Sequence, residues 1–344
     1  MLRYLRWLSL CIMKKINILL TGGVGSRLWP LSKKSRPKQY VPIFGDSTLF
    51  QLSALRNLAV TDELTVICNE GNVDLSKTNL NQIDISAHDW IVESEARNTA
   101  AAVAFGALAC NEDDLMLVTP ADHIINDSQA YETSVKRAFE LAAEGALVTF
   151  GLKPSRPETG YGYIEYEGES VLSFKEKPDL TTAKAYLKEG RFLWNSGIFC
   201  MKAGVYLREL QKYRPDIAGS ARKAFENRSN DVLPVDESSQ IPSESIDVAV
   251  MENSKNIKVV PSDFGWSDLG SYESLYDYFS ADEESSVIQG TNLVFSPKHV
   301  EIIGLENIVV VEKDDSILIL PKDQSQSVKD VFQRLEKERP DLLE

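Results

Sequence analysis

A glycine turn followed by closely spaced cations is the first stretch of this sequence that could do chemistry. Residues 19–40 read LLTGGVGSRLWPLSKKSRPKQY, and no Asp or Glu occurs between Lys14 and Asp46. Glycines let backbone N–H groups approach phosphate oxygens, and cations without acidic neighbours can neutralise those oxygens. The stretch therefore predicts a polyphosphate site. Its members are Gly22, Gly23, Gly25, Arg27 and Lys38.

The spacing of the glycines leaves a second interpretation open. The loop lacks the Gly-Lys-Ser/Thr ending of a P-loop, and Leu28 stands where the dinucleotide fingerprint needs its third glycine. A tight turn from a strand into a solvated basic helix would use the same residues. The clustering of cations at the rim of a sheet favours the phosphate interpretation.

Two aspartates are candidates for holding a metal ion near that phosphate. Asp122 lies in TPADH, directly after an apolar run, and Asp268 lies in GWSDLGS. Magnesium is bound in proteins by one or two carboxylates together with substrate phosphates. Each aspartate alone could instead cap a turn or a helix, in the case of Asp268 a helix that begins near Ser271. His123, beside Asp122, is predicted to be structural rather than a ligand.

Alternating strands and helices must position these groups. Short apolar runs predict strands at 16–21, 64–68, 115–123 and 146–150. Helical spacing predicts helices at 48–59, 98–110 and 131–145. The first helix is expected to bury Leu49, Leu52 and Leu55, with Arg56 at the edge of that face. This order predicts an α/β fold, in which right-handed βαβ units build a mostly parallel sheet with helices on both faces. The Gly turn and PADH then share the rim where ligands bind.

The second half of the chain predicts a completion of this domain and then a smaller unit. Residues 151–280 mix short strands with helices and are expected to cover the rim of the sheet, with 228–246 as a surface excursion. After residue 284 the runs VEIIG, NIVVVE and SILILP predict strands, and VKDVFQRLEKE predicts a helix. The predicted divisions are a non-essential extension at 1–13, a catalytic domain at 14–283 and a β-rich unit at 284–344.

Charge and cysteine content limit the partners and the compartment. The net charge of −14 argues against nucleic acid and anionic membranes as partners, because the overall field repels polyanions. The four cysteines form no CxxC pair, which indicates a reduced, cytoplasmic setting. No run approaches the roughly 20 apolar residues of a membrane span. Residues 1–13 lack the small-residue cleavage site of a secretory leader.

The Gly turn and six later motifs together resemble one family. TGGVGSRLWPLSKKSRPKQY is similar to the signature of sugar-nucleotide pyrophosphorylases, and its Trp-Pro-Leu-Ser and Pro-Lys-Gln are similar to the mannose-1-phosphate guanylyltransferase branch. The later motifs, in the family's order, are ESEARNTAAA, TPADH, TGYGYIEY, FKEKP, WNSGIF and WSDLGSY. Residues 304–331 resemble the C-terminal β-helical segment of the family, so the resemblance covers about residues 16–335.

This resemblance implies a fold and a reaction. The catalytic domain would be Rossmann-like, of the glycosyltransferase-A type, and the C-terminal unit would be left-handed β-helix-like. GTP and α-D-mannose 1-phosphate would give GDP-mannose and pyrophosphate, with Mg²⁺ held by Asp122 and Asp268. The attacking phosphate oxygen is already ionised at neutral pH, so positioning and charge neutralisation suffice. A cytoplasmic homo-oligomer, a dimer, is also expected.

The resemblance also assigns roles to residues that are ambiguous alone. The catalytic cations would be Arg27, Lys38 and Lys177, the sugar ligands Gly162, Glu176 and Asn195, and the nucleotide ligands, besides the turn glycines, Glu93, Arg97 and Asn98. The Glu93 carboxylate suits guanine, which presents N1–H and N2–H₂ as adjacent donors. Without the resemblance, Lys177 would be a solvated side chain and Asn195 a turn residue. Asn98 could be a helix N-cap, and we expect it to serve both roles.

Two other functions stay open. The same fold and mechanism would serve another sugar 1-phosphate, such as a manno-heptose 1-phosphate, or another nucleoside triphosphate. An inactive regulatory subunit on this fold would be expected to lack an aspartate or Lys177, and all of these remain. The isomerase domain fused to some relatives is not found before Glu344, so no isomerase activity is expected.

Overall fold

The computed structural model of the chain describes residues 13–282 and 284–344. Most of the predicted extension, residues 1–12, and Glu283 at the predicted domain boundary lie outside the described residues. The strands are β1 Lys15–Leu20, β2 Glu63–Asn69, β3 Asp89–Glu93, β4 Leu115–Pro120, β5 Ile124–Ile125, β6 Leu147–Leu152, β7 Tyr163–Glu167, β8 Ser170–Lys175, β9 Phe192–Lys202, β10 Ile257–Ser262, β11 Trp266–Ser267, β12 Ile288–Gln289, β13 Asn292–Phe295, β14 Ile308–Lys313 and β15 Ser316–Pro321. The α-helices are α1 Leu49–Leu58, α2 Val73–Asn81, α3 Asn98–Ala109, α4 Ser128–Ala143, α5 Leu180–Glu189, α6 Ala203–Tyr213, α7 Pro215–Glu226, α8 Val235–Ser239, α9 Tyr272–Phe279 and α10 Val328–Glu338.

Nine of these strands form one sheet in the order β3-β2-β1-β4-β9-β6-β10-β8-β7. β1 pairs in parallel with β2 and β4, β2 with β3, and β6 with β10. β9 runs antiparallel to β4, β6 and β7, and β8 runs antiparallel to β10 and β7. β8 and β9 therefore oppose the other seven strands of this sheet, which confirms a mostly parallel α/β sheet.

Helices cover both faces of the sheet, because successive strand residues point to opposite sides. Ile18 of β1 faces a core that includes Phe105 of α3 and Tyr206 of α6. The next residue, Leu19, faces the opposite core and packs with Phe50 of α1. The prediction of helices on both faces is thus confirmed.

The predicted inner face of α1 is confirmed at Leu49, which is buried, and is wrong at Leu55. The helix buries Phe50, Ala54 and Asn57, whereas Leu55 is 48% exposed. Asn57 can be buried because its Nδ2 donates to Thr119 Oγ1 at 2.8 Å. Such a hydrogen bond offsets the cost of burying an amide, and a pattern of apolar residues does not reveal it.

Three predictions in the second half of the chain also differ from the structure. Residues 300–304, VEIIG, form no strand, and Ile303 is 90% exposed. The segment 228–246 is not only a surface excursion, because Leu233, Ile241 and Ile246 are buried in the main core. Residues 151–280 do more than cover the rim, since β7 to β10 extend the central sheet.

The C-terminal unit packs against the region of the Gly turn. Its sheet has the order β12-β13-β14-β15, and α10 follows, as predicted. Phe332 of α10 shares a buried core with Leu28 and Trp29. Trp29 Nε1 also donates to the backbone carbonyl of Leu342 at 3.2 Å. The C-terminal unit therefore supports the loop that carries the glycines.

Two smaller findings concern cysteines and membranes. Cys68, Cys110 and Cys200 are free thiols, and Cys11 lies outside the described residues. In the part of the chain that the structure describes, no helix has the length and apolarity that crossing a bilayer requires.

Candidate active site

A short two-stranded ladder brings the two candidate aspartates together. β5 begins two residues after Asp122, and β11 ends directly before Asp268. β5 and β11 pair in antiparallel register, with Ile124 opposite Ser267. Residues 146 positions apart in sequence therefore meet at the carboxyl end of β4. Neither strand is predicted from the sequence, because each has only two residues.

Lys38 lies between the two aspartates. Its Nζ is 2.8 Å from Asp122 Oδ2 and donates to the backbone carbonyl of Asp268 at 2.6 Å. The Lys38 side chain is only 5% exposed. Burial is the largest single influence on Asp122 and would raise its pKa. The Lys38 ammonium, together with smaller contributions from His123 and from hydrogen bonds to the carboxylate, nevertheless holds that pKa below its usual value. Lys38 and Asp122 therefore form a fixed ion pair at the rim of the sheet.

The Gly turn packs directly on Lys38. Gly25 has a φ of +74°, and a Cβ on it would lie 2.6 Å from Lys38 Cβ, so only glycine fits there. Gly23 also has a positive φ, +88°. The turn leads into a short 3₁₀ helix, Ser26–Leu28, and not into the solvated basic helix of the second interpretation. The loop thus offers backbone groups without an α-helix N-terminus.

One cavity collects the predicted phosphate-binding and metal-binding residues. We call it the outer cavity. Its lining includes Gly23, Gly25, Arg27, Lys38, Asp122, Asp268 and Lys329. Arg27 is exposed and forms no ion pair with any residue that the structure describes. The geometry therefore brings the predicted cations and carboxylates to one place, as the phosphate interpretation requires.

The remaining cations of the basic stretch have a different role. Lys33 Nζ lies 3.0 Å from Asp314 Oδ2, and Lys34 Nζ lies 2.8 Å from Glu336 Oε1. Both acidic partners belong to the C-terminal unit, far away in sequence. The basic stretch is thus not a uniform phosphate site, because part of its charge attaches the C-terminal unit.

A second cavity, the inner cavity, contains the predicted sugar-binding residues. Its lining includes Gly162, Glu176, Lys177, Asn195, Asp247 and Asp268. A Cβ on Gly162 would lie 2.7 Å from Glu176 Oε2, so any other residue there would displace this carboxylate. Lys177 Nζ lies 2.7 Å from Glu176 Oε1. Lys177 has a φ of +43°, a conformation uncommon outside glycine and typical of functional sites.

Asp247 is a functional candidate that the sequence did not reveal. It accepts a hydrogen bond at 2.9 Å from Asn195 Nδ2, while Asn195 Oδ1 accepts one at 2.7 Å from Thr149. Burial, followed by the nearby charge of Glu176, raises the pKa of Asp247 to about 7. The inner cavity therefore contains the carboxyl groups of Glu176 and Asp247 next to an amide of fixed orientation, and these groups suit sugar hydroxyls.

A third cavity, which we call the connecting cavity, shares lining residues with both of the others. Arg27 lines it together with Lys177, Asp268, Arg156 and Gln326. The Tyr161 hydroxyl, in the same wall, donates to Asp268 Oδ1 at 2.8 Å. Tyr161 belongs to the TGYGYIEY motif, but its role could not be predicted, because a lone tyrosine has no chemical signature.

His123 has the structural position that the sequence predicts. Trp266 Nε1 donates to His123 Nδ1 at 3.1 Å, and the two rings meet edge to face at 5.2 Å. Burial lowers the pKa of His123. The neutral ring therefore supports the wall between the outer and inner cavities.

The residues predicted to read the base lie beside these cavities and not in their walls. Glu93 ends β3 and is 8% exposed, and its Oε1 has no hydrogen-bond partner among the described residues. Burial raises the pKa of Glu93 to about 7. Asn98 has a φ of +67°, and its Oδ1 accepts from the backbone N–H of the next residue, Thr99. An N-cap side chain accepts from the second or third residue beyond it, so the predicted N-cap role of Asn98 is wrong. Arg97 donates to the carbonyls of Ser238 and Ser239 at 3.1 and 2.7 Å.

The two aspartates fit a magnesium site in charge and donor type. A cation, Lys38 Nζ, already lies against the Asp122 carboxylate and the Asp268 carbonyl. Among the residues that the structure describes, no three His, Cys, Asp or Glu side chains converge as a closed metal cage. An open site of two carboxylates, completed by phosphates and water, is the usual arrangement for Mg²⁺.

Comparison with known proteins identifies the family. The model for the nucleotidyl transferase family matches residues 16–285, and a model described as MannoseP isomerase/GMP-like beta-helix domain matches residues 278–335. The chain belongs to the nucleotidyl transferase family and is an enzyme. This confirms the predicted fold class, including the β-helix-like C-terminal unit.

The relatives include proteins with specific names. The xanthan biosynthesis protein XanB of Xanthomonas campestris pv. campestris is 40% identical, and the match covers 93% of this chain and 73% of that protein. The mannose-1-phosphate guanylyltransferase of Escherichia coli K12 is 39% identical, with 94% and 73% covered. A crystal structure from Thermus thermophilus, described as a mannose-1-phosphate geranyltransferase, is 29% identical with a TM-score of 0.82, covering 94% of this chain and all of that one.

Proposed function

We propose that this nucleotidyltransferase transfers GMP from GTP to α-D-mannose 1-phosphate and forms GDP-mannose and pyrophosphate. The observation that carries the proposal is the convergence of Arg27 and Lys38 with Asp122 and Asp268 in the outer cavity, next to a cavity of sugar-binding type. Several relatives, at 38–40% identity, carry the name mannose-1-phosphate guanylyltransferase or a polysaccharide biosynthesis name.

The triphosphate would occupy the outer cavity. Gly22, Gly23 and Gly25 would present backbone N–H groups to it, and Arg27 and Lys38 would face its oxygens. Asp122 and Asp268 would hold Mg²⁺, which supplies positive charge to the phosphates and makes the α-phosphorus more electrophilic. Lys38 keeps its position through its contacts with both aspartates, so the site is ordered before the nucleotide arrives.

The sugar phosphate would occupy the inner cavity. Lys177, which lines both the inner and the connecting cavity, would bind its phosphate. Glu176, Asn195 and Asp247 would accept or donate to the sugar hydroxyls, and Gly162 leaves room for the Glu176 carboxylate.

Guanine would be read at the ends of β3 and α3. Glu93 supports this assignment, because its buried Oε1 has no partner among the described residues and could accept from N1–H or N2–H₂. Asn98 is the second candidate, since its amide nitrogen remains available. Arg97 acts on the base only indirectly in this scheme, because it is committed to the carbonyls of Ser238 and Ser239.

The chemistry needs no side-chain nucleophile or base. An ionised oxygen of the sugar phosphate attacks the α-phosphorus in line, and the bond from that phosphorus to the β-phosphate bridging oxygen breaks. The electron pair of that bond leaves on pyrophosphate, so Arg27 and Lys38 face the growing negative charge. A cytoplasmic homodimer stays part of the proposal.

A substrate matrix tests the proposed function. Pyrophosphate release is measured with each of the four nucleoside triphosphates against mannose 1-phosphate, glucose 1-phosphate and a manno-heptose 1-phosphate, with MgCl₂ present. The proposal predicts the highest kcat/KM for GTP with mannose 1-phosphate. A preference for UTP would overturn the guanine assignment, and a preference for another sugar phosphate would overturn the sugar assignment.

A further inference from the structure

One cation of the outer cavity comes from the C-terminal unit. Lys329, in the first turn of α10, lines the outer cavity together with Arg27, Lys38 and both aspartates. The next cavity-lining residue of this unit, Gln326, reaches the connecting cavity. The active-site cleft is therefore built by both parts of the chain.

The backbone of Lys329 is held rigidly against the Gly turn. The neighbouring Val328 is 1% exposed, and Phe332, one turn further along α10, is 4% exposed. Both pack in the core that contains Leu28 and Trp29. Close-packed side chains permit little relative motion, so α10 presents Lys329 at a defined place in the cavity wall.

Helix stability does not explain a lysine at this place. The N-terminal turn of a helix carries partial positive charge and favours acidic residues, so a cation there is mildly unfavourable. Lys329 forms no ion pair within residues 13–282 and 284–344, unlike Lys33 and Lys34. Its long side chain is exposed toward a cavity in which the Lys38 ammonium is already paired with Asp122.

We propose that Lys329 binds the β- and γ-phosphates of the nucleoside triphosphate and the pyrophosphate that leaves. This inference rests on the proposed function and adds a residue to it. During the reaction the bond between the α-phosphorus and the bridging oxygen breaks, and its electron pair remains on that oxygen of pyrophosphate. Lys329 and Arg27 are the two cations of the outer cavity without an acidic partner among the described residues, so they meet this charge.

The test compares Lys329→Ala with a control on the same helix. Lys337→Ala removes an exposed lysine of α10 that lies in none of the three cavities. Binding of inorganic pyrophosphate is measured by calorimetry with MgCl₂ present, and KM is measured separately for GTP and for the sugar phosphate. Lys329→Ala is expected to weaken pyrophosphate binding and raise the KM for GTP about tenfold, as is typical for the loss of one charged hydrogen bond.

The other readouts separate binding from structure. In Lys329→Ala, the KM for the sugar phosphate should stay within twofold of the wild-type value. Lys329→Arg should recover most of the pyrophosphate affinity. Lys337→Ala should have the pyrophosphate affinity and KM values of the wild-type protein. Equal pyrophosphate affinity in Lys329→Ala and Lys337→Ala would overturn the proposal. A parallel rise of both KM values with a lowered Tm would also overturn it, because that pattern indicates a structural role. Pyrophosphate binding does not depend on the base or the sugar. If the wild-type protein showed no turnover with GTP, this result would therefore refute only the proposed function and not the role of Lys329.

Discussion

Asp122 is the residue on which the charge balance of the outer cavity depends. Its carboxylate pairs at 2.8 Å with Lys38, whose side chain is 5% exposed. Asp122→Asn keeps the shape of the side chain and an acceptor for Lys38, so the fold should persist. We expect kcat to fall at least ~100-fold, because the substitution weakens both the proposed metal site and the position of Lys38.

The Asp122→Asn measurement needs a fold control and a charge control. A thermal unfolding scan checks the fold, and Asp263→Asn, at an exposed carboxylate on the loop after β10, checks the effect of charge alone. Asp263→Asn should keep the turnover of the unchanged protein. Unaltered turnover in Asp122→Asn would contradict the proposed metal site.

Asp247 predicts a measurable dependence of stability on pH. Burial raises its pKa from 3.8 to about 7, so the folded state binds a proton that the unfolded state releases between these values. The stability that this proton provides is complete below pH ~4 and is lost as the pH rises through ~7. Asp247→Asn removes the titration. The free energy of unfolding of Asp247→Asn, taken relative to that of the wild-type protein, should therefore rise by on the order of 2 kcal/mol as the pH is raised from 5 to 8.

Urea unfolding at pH 5, 6, 7 and 8 measures this difference. Asp84→Asn, at an exposed carboxylate, serves as the matched control and should follow the unchanged protein at every pH. Glu93, whose pKa burial also raises to about 7, keeps its own pH dependence in all these proteins. A constant offset between Asp247→Asn and the unchanged protein at all four pH values would show that Asp247 does not titrate in this range.

At the residue scale, the sequence could predict side chains that sit in distinctive motifs. Arg27, Asp122 and Asp268 are such residues, and the structure places all three in the outer cavity. Asp247 and Lys329 could not be predicted, because an acidic residue in a polar stretch and a lysine in a charged helix have the composition of any solvated surface. Only the tertiary fold places these two side chains in the walls of the cavities.

At the scale of elements, α10 is the support of the Gly turn. Phe332→Ala removes a buried ring from the core shared with Leu28 and Trp29. The substitution should lower the free energy of unfolding by about 3–5 kcal/mol, the usual cost of such a cavity. The KM for GTP should rise more than the KM for the sugar phosphate, because Leu28 and Trp29 belong to the loop of the outer cavity.

Ile319→Ala is the matched control for this element. Ile319 lies in β15 of the same unit and is 64% exposed, so its truncation should change stability by no more than ~0.5 kcal/mol. Denaturant unfolding and steady-state kinetics measure both variants. If Phe332→Ala raised both KM values equally, α10 would not act through the Gly turn.

Element prediction succeeded where the hydrophobic pattern was long and failed where pairing partners were distant. The buried helix α3 and the terminal helix α10 match the predicted segments to within one residue. β3 is not predicted, because its apolar run is only three residues long and lies between Asp89 and Glu93. β5 and β11 have two residues each, and their antiparallel pairing is what brings Asp122 to Asp268. Periodicity carries no information about such a long-range contact.

At the scale of the whole molecule, a strongly acidic protein has to create a local site for polyanions. The net charge is −14, so the overall field repels both of the proposed substrates, which are anions. Both parts of the chain contribute cations to this local site. The C-terminal unit binds Lys33 and Lys34 through Asp314 and Glu336, and it contributes Lys329 to the outer cavity.

The central claim is that the sugar phosphate, bound in the inner cavity, attacks the α-phosphorus of the nucleotide in the neighbouring outer cavity directly. The stereochemistry at that phosphorus tests it most directly. One diastereomer of guanosine 5′-(1-thiotriphosphate) is incubated with mannose 1-phosphate and MgCl₂, and the configuration of the nucleotide-sugar product is determined by ³¹P NMR. A single in-line displacement predicts inversion of configuration at the α-phosphorus. Retention would require two displacements through a covalent enzyme intermediate and would contradict the account.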